Sequence, residues 1–233
     1  LLLNAAFFVC GFHVTLIGAY LPRYGEDLGH KDTATTALAL IGLFNVFGSL
    51  AAGALGGKHS KTKLLSGIYA ARALVISVYI LLPPEPAFTL LFGAAIGLLW
   101  LSTVPLTSGM VTEQFGTTHS GALFGIVFFS HQLGAFAGAL GGSWAHDRYG
   151  SYDLVWWIAV ALGVAASLIH LSIEEGPVQN TPSGTTRAGG LLPAGGLASV
   201  LLIVGIGAVL LPVLTGSDDI GVLVSWCFSV LER

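Results

Sequence analysis

Polar side chains that stand inside long apolar stretches are the first candidates for chemistry. They are His13, Asn45, Arg72, Trp100 and the adjacent pair His131 and Gln132. An imidazole titrates near neutral pH and suits the handling of protons or anions, whereas a guanidinium donates paired hydrogen bonds to a carboxylate. A polar group at membrane depth needs a partner or water to offset its cost, which makes it a functional-site hypothesis. We therefore predict that these side chains bind a solute near the middle of a membrane.

Each of these residues also has a structural interpretation. Asn45 and Gln132 are typical of hydrogen bonds between membrane helices, and the two histidines and Trp100 also suit packing. Arg72 is the sharpest signal because no acidic residue falls inside the apolar stretches. It therefore needs a bound anion, water, a backbone carbonyl or a group in the missing part of the protein, and its alternative role is a clamp between helices.

The composition requires an environment other than water. The 233 residues are 54% hydrophobic and 9% charged, with a mean hydropathy of +0.83, whereas soluble domains carry about 25% charged residues. A net charge of −3, with no basic cluster beyond the lysines of residues 58–63, excludes a nucleic-acid partner. Cys10 and Cys227 lie in apolar surroundings and form neither a disulfide framework nor a zinc site. An all-α membrane protein is the remaining class, because helices satisfy their own backbone groups in lipid.

Uncharged stretches of about 20 residues place the spans. Six are predicted at residues 1–22, 35–57, 64–82, 87–111, 120–144 and 154–172, and Leu191 to Leu214 forms either a seventh span or a helix lying in the interface. The predicted domains are a six-helix bundle over 1–176, a flexible linker over 177–189, and an additional membrane helix with a tail over 190–233.

Lysine density sets the predicted orientation. The loop between the second and third spans carries Lys58, Lys61 and Lys63. Because basic residues favour the cytoplasmic side, this loop is predicted to be cytoplasmic.

Small residues and helix-breaking residues predict how the spans pack and where they bend. Gly134, Gly138 and Gly142 recur at fourfold spacing, which lets two helix backbones approach closely. Pro105 and Gly109 predict a kink between them in the fourth span.

The sequence contains no motif that is typical of an enzyme. The sequence shows no pair of buried carboxylates, no metal-ligand spacing and no phosphate-binding loop, so we predict no enzyme, no cofactor and no metal. The only methionine is Met110, and Leu1 opens directly in an apolar run. We therefore expect this chain to be the C-terminal part of a larger membrane protein.

One loop resembles a known motif. The sequence Gly53-Ala54-Leu55-Gly56-Gly57-Lys58-His59-Ser60-Lys61-Thr62-Lys63 is similar to the glycine and basic loop motif of the major facilitator superfamily. Gly53, Gly57, Lys58 and Lys61 are the loop-motif residues, with Lys58 and Lys61 as the basic elements. The loop departs from the motif where Gly57 stands at its acidic position and Ser60 replaces its later glycine. In that superfamily the motif joins the second and third helices of each six-helix half. The resemblance therefore implies that this chain is the C-terminal half, helices seven to twelve.

Two further resemblances narrow the family. Residues 141–152 are similar to the connection between the eleventh and twelfth helices, and residues 99–108 with 129–132 resemble the monocarboxylate and oxalate/formate-type branch. The resemblance implies alternating access around a cavity lined by helices one, two, four and five of each half. Those spans carry His13, Asn45, Trp100 and the His131–Gln132 pair, whereas Arg72 lies on a peripheral span and is a second-tier candidate.

The resulting hypothesis is a multi-pass secondary transporter of the cell (inner) membrane. It moves a small organic anion such as a monocarboxylate, with protons as the candidate coupling ion. Its expected partners are the small-molecule substrate, the lipid bilayer and a missing N-terminal six-helix half. Two alternatives stay open: efflux of hydrophobic compounds on the same fold, and a non-transporting membrane scaffold.

Overall fold

The computed structural model describes residues 2–83 and 85–176. Its helices are α1 (Leu2–Asp27), α2 (Lys31–Gly56), α3 (Lys61–Leu81), α4 (Pro86–Leu99), α5 (Thr103–Phe115), α6 (Ser120–Tyr149) and α7 (Asp153–Leu171). The predicted linker and the predicted seventh span lie outside the described residues.

Six segments are long and apolar enough to cross a membrane. Five are single helices, and the fourth consists of α4 and α5 together, Pro86–Phe115. The described part of the chain contains helices and no strand. The predicted all-α class and the six predicted spans are therefore confirmed.

Three pairs of spans carry most of the packing. α1 packs on α6, α2 on α4 with α5, and α3 on α7. Counted as spans, the first meets the fifth, the second meets the fourth and the third meets the sixth. If the first span is exchanged with the fourth, the second with the fifth and the third with the sixth, the same three pairs result. Because three spans is an odd number, the two triplets cross the membrane in opposite directions, which is the arrangement of an inverted repeat.

Glycines bring α1 and α6 into backbone contact. A Cβ atom at Gly138 would lie 2.6 Å from the carbonyl oxygen of Phe12, and one at Gly134 would overlap the carbonyl of Phe8. In the reverse direction, a Cβ at Gly11 would overlap the carbonyl of His131. The close approach predicted from the glycine spacing is confirmed, and it fixes the middle of α6 against the middle of α1.

The predicted kink in the fourth span was placed wrongly. The helix is interrupted at residues 100–102, and Gly109 lies inside the continuous helix α5. The reason is that proline removes an N–H that would bond four residues earlier, and its ring crowds that same carbonyl. Pro105 therefore acts on Leu101, one turn before the position that we predicted.

One end of the bundle is fastened by polar contacts. Lys61, at the start of α3, forms an ion pair of 2.5 Å with Glu113 near the end of α5. The side chain of Gln114 donates to the backbone oxygen of Glu174 at 3.2 Å. These contacts join the α2–α3 loop, the end of α5 and the segment after α7.

Candidate functional site

The interruption of the fourth span is the centre of the candidate site, because it lies midway between Pro86 and Phe115. Asn45 reaches it from α2, where its Oδ1 accepts a hydrogen bond of 3.0 Å from the backbone N–H of Leu101. Ser49 donates to the same oxygen at 3.2 Å. Asn45 uses its carbonyl oxygen in both contacts, which leaves its NH2 group as a donor.

Arg72 reaches the same interruption from α3. Its side chain is 2% exposed. Nε and Nη2 donate to the carbonyl oxygen of Leu99 at 3.1 and 2.5 Å, and Nη2 also donates to the carbonyl oxygen of Trp100. Nη1 lies 3.5 Å from the Cys10 sulfur, and the guanidinium carbon lies 5.4 Å from the ring centre of Tyr69. The clamp between helices, which was one of the two sequence interpretations, is the contact that the structure shows.

The charge of Arg72 has no carboxylate beside it. Every described acidic residue lies near a helix end or in a connection: Glu26, Asp27, Asp32, Glu85, Glu113, Asp147, Asp153, Glu174 and Glu175. The guanidinium instead meets carbonyl dipoles, a thiol and an aromatic face. A buried cation is costly unless it is paired, so its field favours an anion nearby.

His131 and Gln132 form the α6 part of the candidate site. His131 is 7% exposed and stacks on Phe128, with ring centres 5.2 Å apart and planes 6° from parallel. The ring centre of Phe7 also lies 5.2 Å from that of His131, with the two planes tilted by 46°. His131 Nδ1 lies 3.3 Å from Oε1 of Gln132, whose side chain is exposed. The pair thus presents an amide at the surface and keeps the imidazole among aromatic rings.

The hydrogen bond of His13 goes to α7 and not to the interruption. Its side chain is 1% exposed and faces α7, where Nε2 donates to the carbonyl oxygen of Ala159 at 2.8 Å. This contact requires the proton on Nε2, because a carbonyl only accepts. The geometry gives His13 a packing contact between α1 and α7.

The structure thus brings Asn45, Arg72 and Trp100 together at the interruption. Two further residues at this place were missed by the sequence analysis: the Cys10 sulfur lies 3.2 Å from the Thr103 hydroxyl, beside the guanidinium. A pairing between separate spans leaves no trace in sequence spacing.

Tyr69 was also missed, although a signal for it exists. It stands three residues before Arg72 on α3, and residues three apart share a helix face.

The loop motif residues lie at the fastened end of the bundle. Lys61 pairs with Glu113, whereas Lys58 is exposed. A Cβ atom at Gly53 would meet open space, and Gly57 has ordinary helical angles of φ −75° and ψ −14°. Among residues 2–83 and 85–176, no three His, Cys, Asp or Glu side chains are grouped to hold a metal ion.

Comparison with known proteins decides the family. Residues 3–230 match the family model of the Major Facilitator Superfamily. The chain belongs to the major facilitator superfamily. This superfamily comprises membrane transporters, and the six spans with their inverted-repeat packing agree with one half of its bundle.

A curated relative supports the same family. A protein of Bacillus subtilis (strain 168) named "uncharacterized MFS-type transporter YcxA" is 28% identical over 174 residues, which cover 70% of this chain and 41% of the relative. The chain thus spans about two fifths of the length of the relative that it matches. The match agrees with the family that the family model shows.

Proposed function

We propose that this chain forms half of a secondary transporter that moves a small organic anion, such as a monocarboxylate, across the cytoplasmic membrane. A second six-helix half, in the same chain or in a partner chain, covers the exposed faces of α2 and α6. The two halves rock about a central cavity so that the solute is open to one side at a time. Protons are the candidate coupling ion.

The observation that carries the anion proposal is the buried charge of Arg72. No carboxylate of the described residues lies at its depth, and its hydrogen bonds go to neutral groups. The guanidinium therefore acts through its field from behind the interruption, and it does not need to touch the solute. A cation in a low-dielectric interior exerts a stronger field than one in water.

Neutral donors supply the direct contacts in this proposal. The NH2 group of Asn45, the indole N–H of Trp100 and the amide of Gln132 are each able to donate to a carboxylate oxygen. Transporters of this kind bind their solutes near the midplane, beside broken helices. The interruption between α4 and α5 has that position.

Efflux of hydrophobic compounds is the second candidate, and one observation favours it. The exposed side of α6 carries Phe128, Phe129 and Phe136, which are 40%, 63% and 60% exposed. An aromatic surface of this kind suits flat apolar solutes as well as packing against a second half.

Thermal unfolding of the whole natural protein in detergent separates these candidates. The probes are acetate, pyruvate and benzoate, each compared with its uncharged amide, and a set of apolar dyes. A ligand that binds the folded state raises the unfolding temperature with its concentration. The proposal predicts that at least one acid stabilises the protein and that its amide does not. Stabilisation by amides and apolar dyes alone would support the hydrophobic candidate, and no stabilisation by any probe would support a scaffold.

A further inference from the structure

Side chains bond the backbone of three consecutive residues at the interruption of the fourth span. Arg72 donates to the carbonyl oxygens of Leu99 and Trp100, and Asn45 accepts from the N–H of Leu101. Backbone groups at membrane depth have no water to bond, so a broken helix persists only where other groups take the place of the helical partners. The interruption is therefore built into the bundle by residues of two other spans.

Pro105 supplies the local cause of the interruption. It has no N–H to donate to the carbonyl of Leu101, and its ring crowds that oxygen. The N–H of Val104 donates to Leu101 instead, at 3.0 Å, which is a tighter turn than an α-helix makes. The sequence thus opens the helix at Pro105, and Arg72 then binds carbonyls on its N-terminal side.

The contact depends on the shape of a guanidinium. Nε and Nη2 of Arg72 both point at the carbonyl oxygen of Leu99, and Nη2 also serves Trp100. A planar fork with fixed donors holds two oxygens at once, whereas a lysine ammonium is a single flexible point charge. Tyr69 covers one side of the guanidinium and further limits its movement.

We propose that Arg72 is a positioning residue for transport. By holding the carbonyls of Leu99 and Trp100, it keeps the fourth span broken and sets the direction in which the Trp100 indole meets the solute. This inference rests on the proposed transport function. It means that a residue of α3, a peripheral span, controls the orientation of Trp100 in the cavity. Arg72 itself makes no contact with the solute in this account.

Four variants of the whole natural protein test the proposal: Arg72→Lys, Arg72→Gln, Pro105→Ala and the double variant Arg72→Gln with Pro105→Ala. Ser77→Ala is the matched control, because Ser77 lies on the same helix and bonds the carbonyl of Ala73, away from the interruption. Two quantities are measured. One is hydrogen exchange of the backbone over residues 97–104, and the other is uptake into proteoliposomes of the carboxylate that stabilises the wild-type protein.

Arg72→Gln is expected to raise exchange over residues 97–104 and to lower the maximal uptake rate at least about ten-fold, because a displacement of about 1 Å in a positioned group costs up to about a hundred-fold in rate. The KM is expected to stay within about two-fold, since no solute contact is removed. Pro105→Ala restores the missing N–H and slows exchange. The double variant returns exchange to the wild-type level or below without restoring uptake. Arg72→Lys falls between the wild type and Arg72→Gln, and Ser77→Ala matches the wild type.

Three results would overturn the proposal. An Arg72→Gln protein with unchanged exchange and a raised KM would show that Arg72 binds the solute directly. A double variant that recovers uptake would show that transport does not need the interruption. If Arg72→Gln alone fails to accumulate in the membrane, the double variant must accumulate, and its failure would also contradict the account. Should the wild type move no carboxylate, the proposed function fails, and the exchange data alone then decide whether Arg72 holds the interruption.

Discussion

The carboxylate of Glu175 caps the first turn of α3 by bonding the backbone of Thr62. Its Oε1 accepts from the Thr62 N–H at 2.5 Å and from the hydroxyls of Thr62 and Ser60 at 2.9 Å each. The first N–H groups of a helix have no partner within the helix, and a negative charge there is favourable. Glu175 thus ties the segment after α7 to the loop before α3.

This cap predicts how stability depends on pH. Partial burial raises the pKa of Glu175, but the hydrogen bonds from Thr62 and Ser60 and the charge of Lys61 outweigh it, so the pKa lies below its ordinary value of 4.5. A lowered pKa in the folded state stabilises the protein above pH 4.5, and that stabilisation is lost as the pH falls through the folded-state value. Unfolding temperatures of the whole protein in detergent, measured from pH 7 downwards, are expected to decline in that range.

Glu175→Gln removes the charge and is expected to flatten that decline. Loss of a helix cap has an effect of about 1 kcal/mol, so Glu175→Ala is expected to lower the free energy of unfolding by that amount at neutral pH. Glu174→Gln is the control, because Glu174 contributes its backbone oxygen to the fastened end of the bundle. A Glu174→Gln protein with the same loss as Glu175→Ala would contradict the assigned cap.

Gly138 is expected to tolerate no side chain. A Cβ atom there would lie 2.6 Å from the carbonyl oxygen of Phe12, so Gly138→Ala must push α6 away from α1. We expect a loss of about 1–3 kcal/mol in the free energy of unfolding, as overpacking of a close contact produces. Gly125 lies on the same helix with open space around it, so Gly125→Ala is the control. Equal unfolding temperatures for the two variants would argue against the close α1–α6 contact.

Gln132 and His131 are expected to respond differently to alanine. Gln132 is exposed, so Gln132→Ala is expected to leave the unfolding temperature unchanged. Under the proposed function it also removes a hydrogen bond to the solute, and a loss of about 1.4 kcal/mol corresponds to an uptake affinity about ten-fold weaker. His131 is buried in an aromatic stack, so His131→Ala is expected to lower the unfolding temperature as well.

Ser143→Ala, an exposed change on the same helix, is the control for these uptake measurements. If Gln132→Ala destabilises the protein without a change in the uptake of the remaining folded fraction, Gln132 has a packing role only. That outcome would favour the scaffold alternative.

The sequence was sufficient for the helical class and for the six spans, because the physics of lipid leaves few choices. Uncharged stretches of spanning length had to be helices, and the glycine spacing of α6 had to meet another backbone. Short connections then made neighbouring spans antiparallel. These arguments use only local composition and period, which the sequence contains directly.

The site was less accessible to sequence reasoning. The sequence marked Arg72 as unusual. Whether its guanidinium bonds a solute or a backbone carbonyl depends on where the fourth span breaks, which the sequence analysis did not predict correctly. That position follows from Pro105 acting one turn earlier, together with the arrival of Asn45 from α2. Cys10 and Thr103 meet across 93 positions of sequence, and no periodicity of either helix encodes that pairing.

Uptake of a labelled monocarboxylate by proteoliposomes that contain the whole natural protein tests the central claim most directly. The vesicles are loaded with the unlabelled acid. Each labelled molecule that enters is exchanged for an unlabelled one that leaves, so the label accumulates without any net transport of the acid. The account predicts saturable accumulation that excess unlabelled acid added outside the vesicles abolishes and the matching amide does not. If no carboxylate accumulates above the level seen in protein-free vesicles, the claim that this protein moves an organic anion is contradicted.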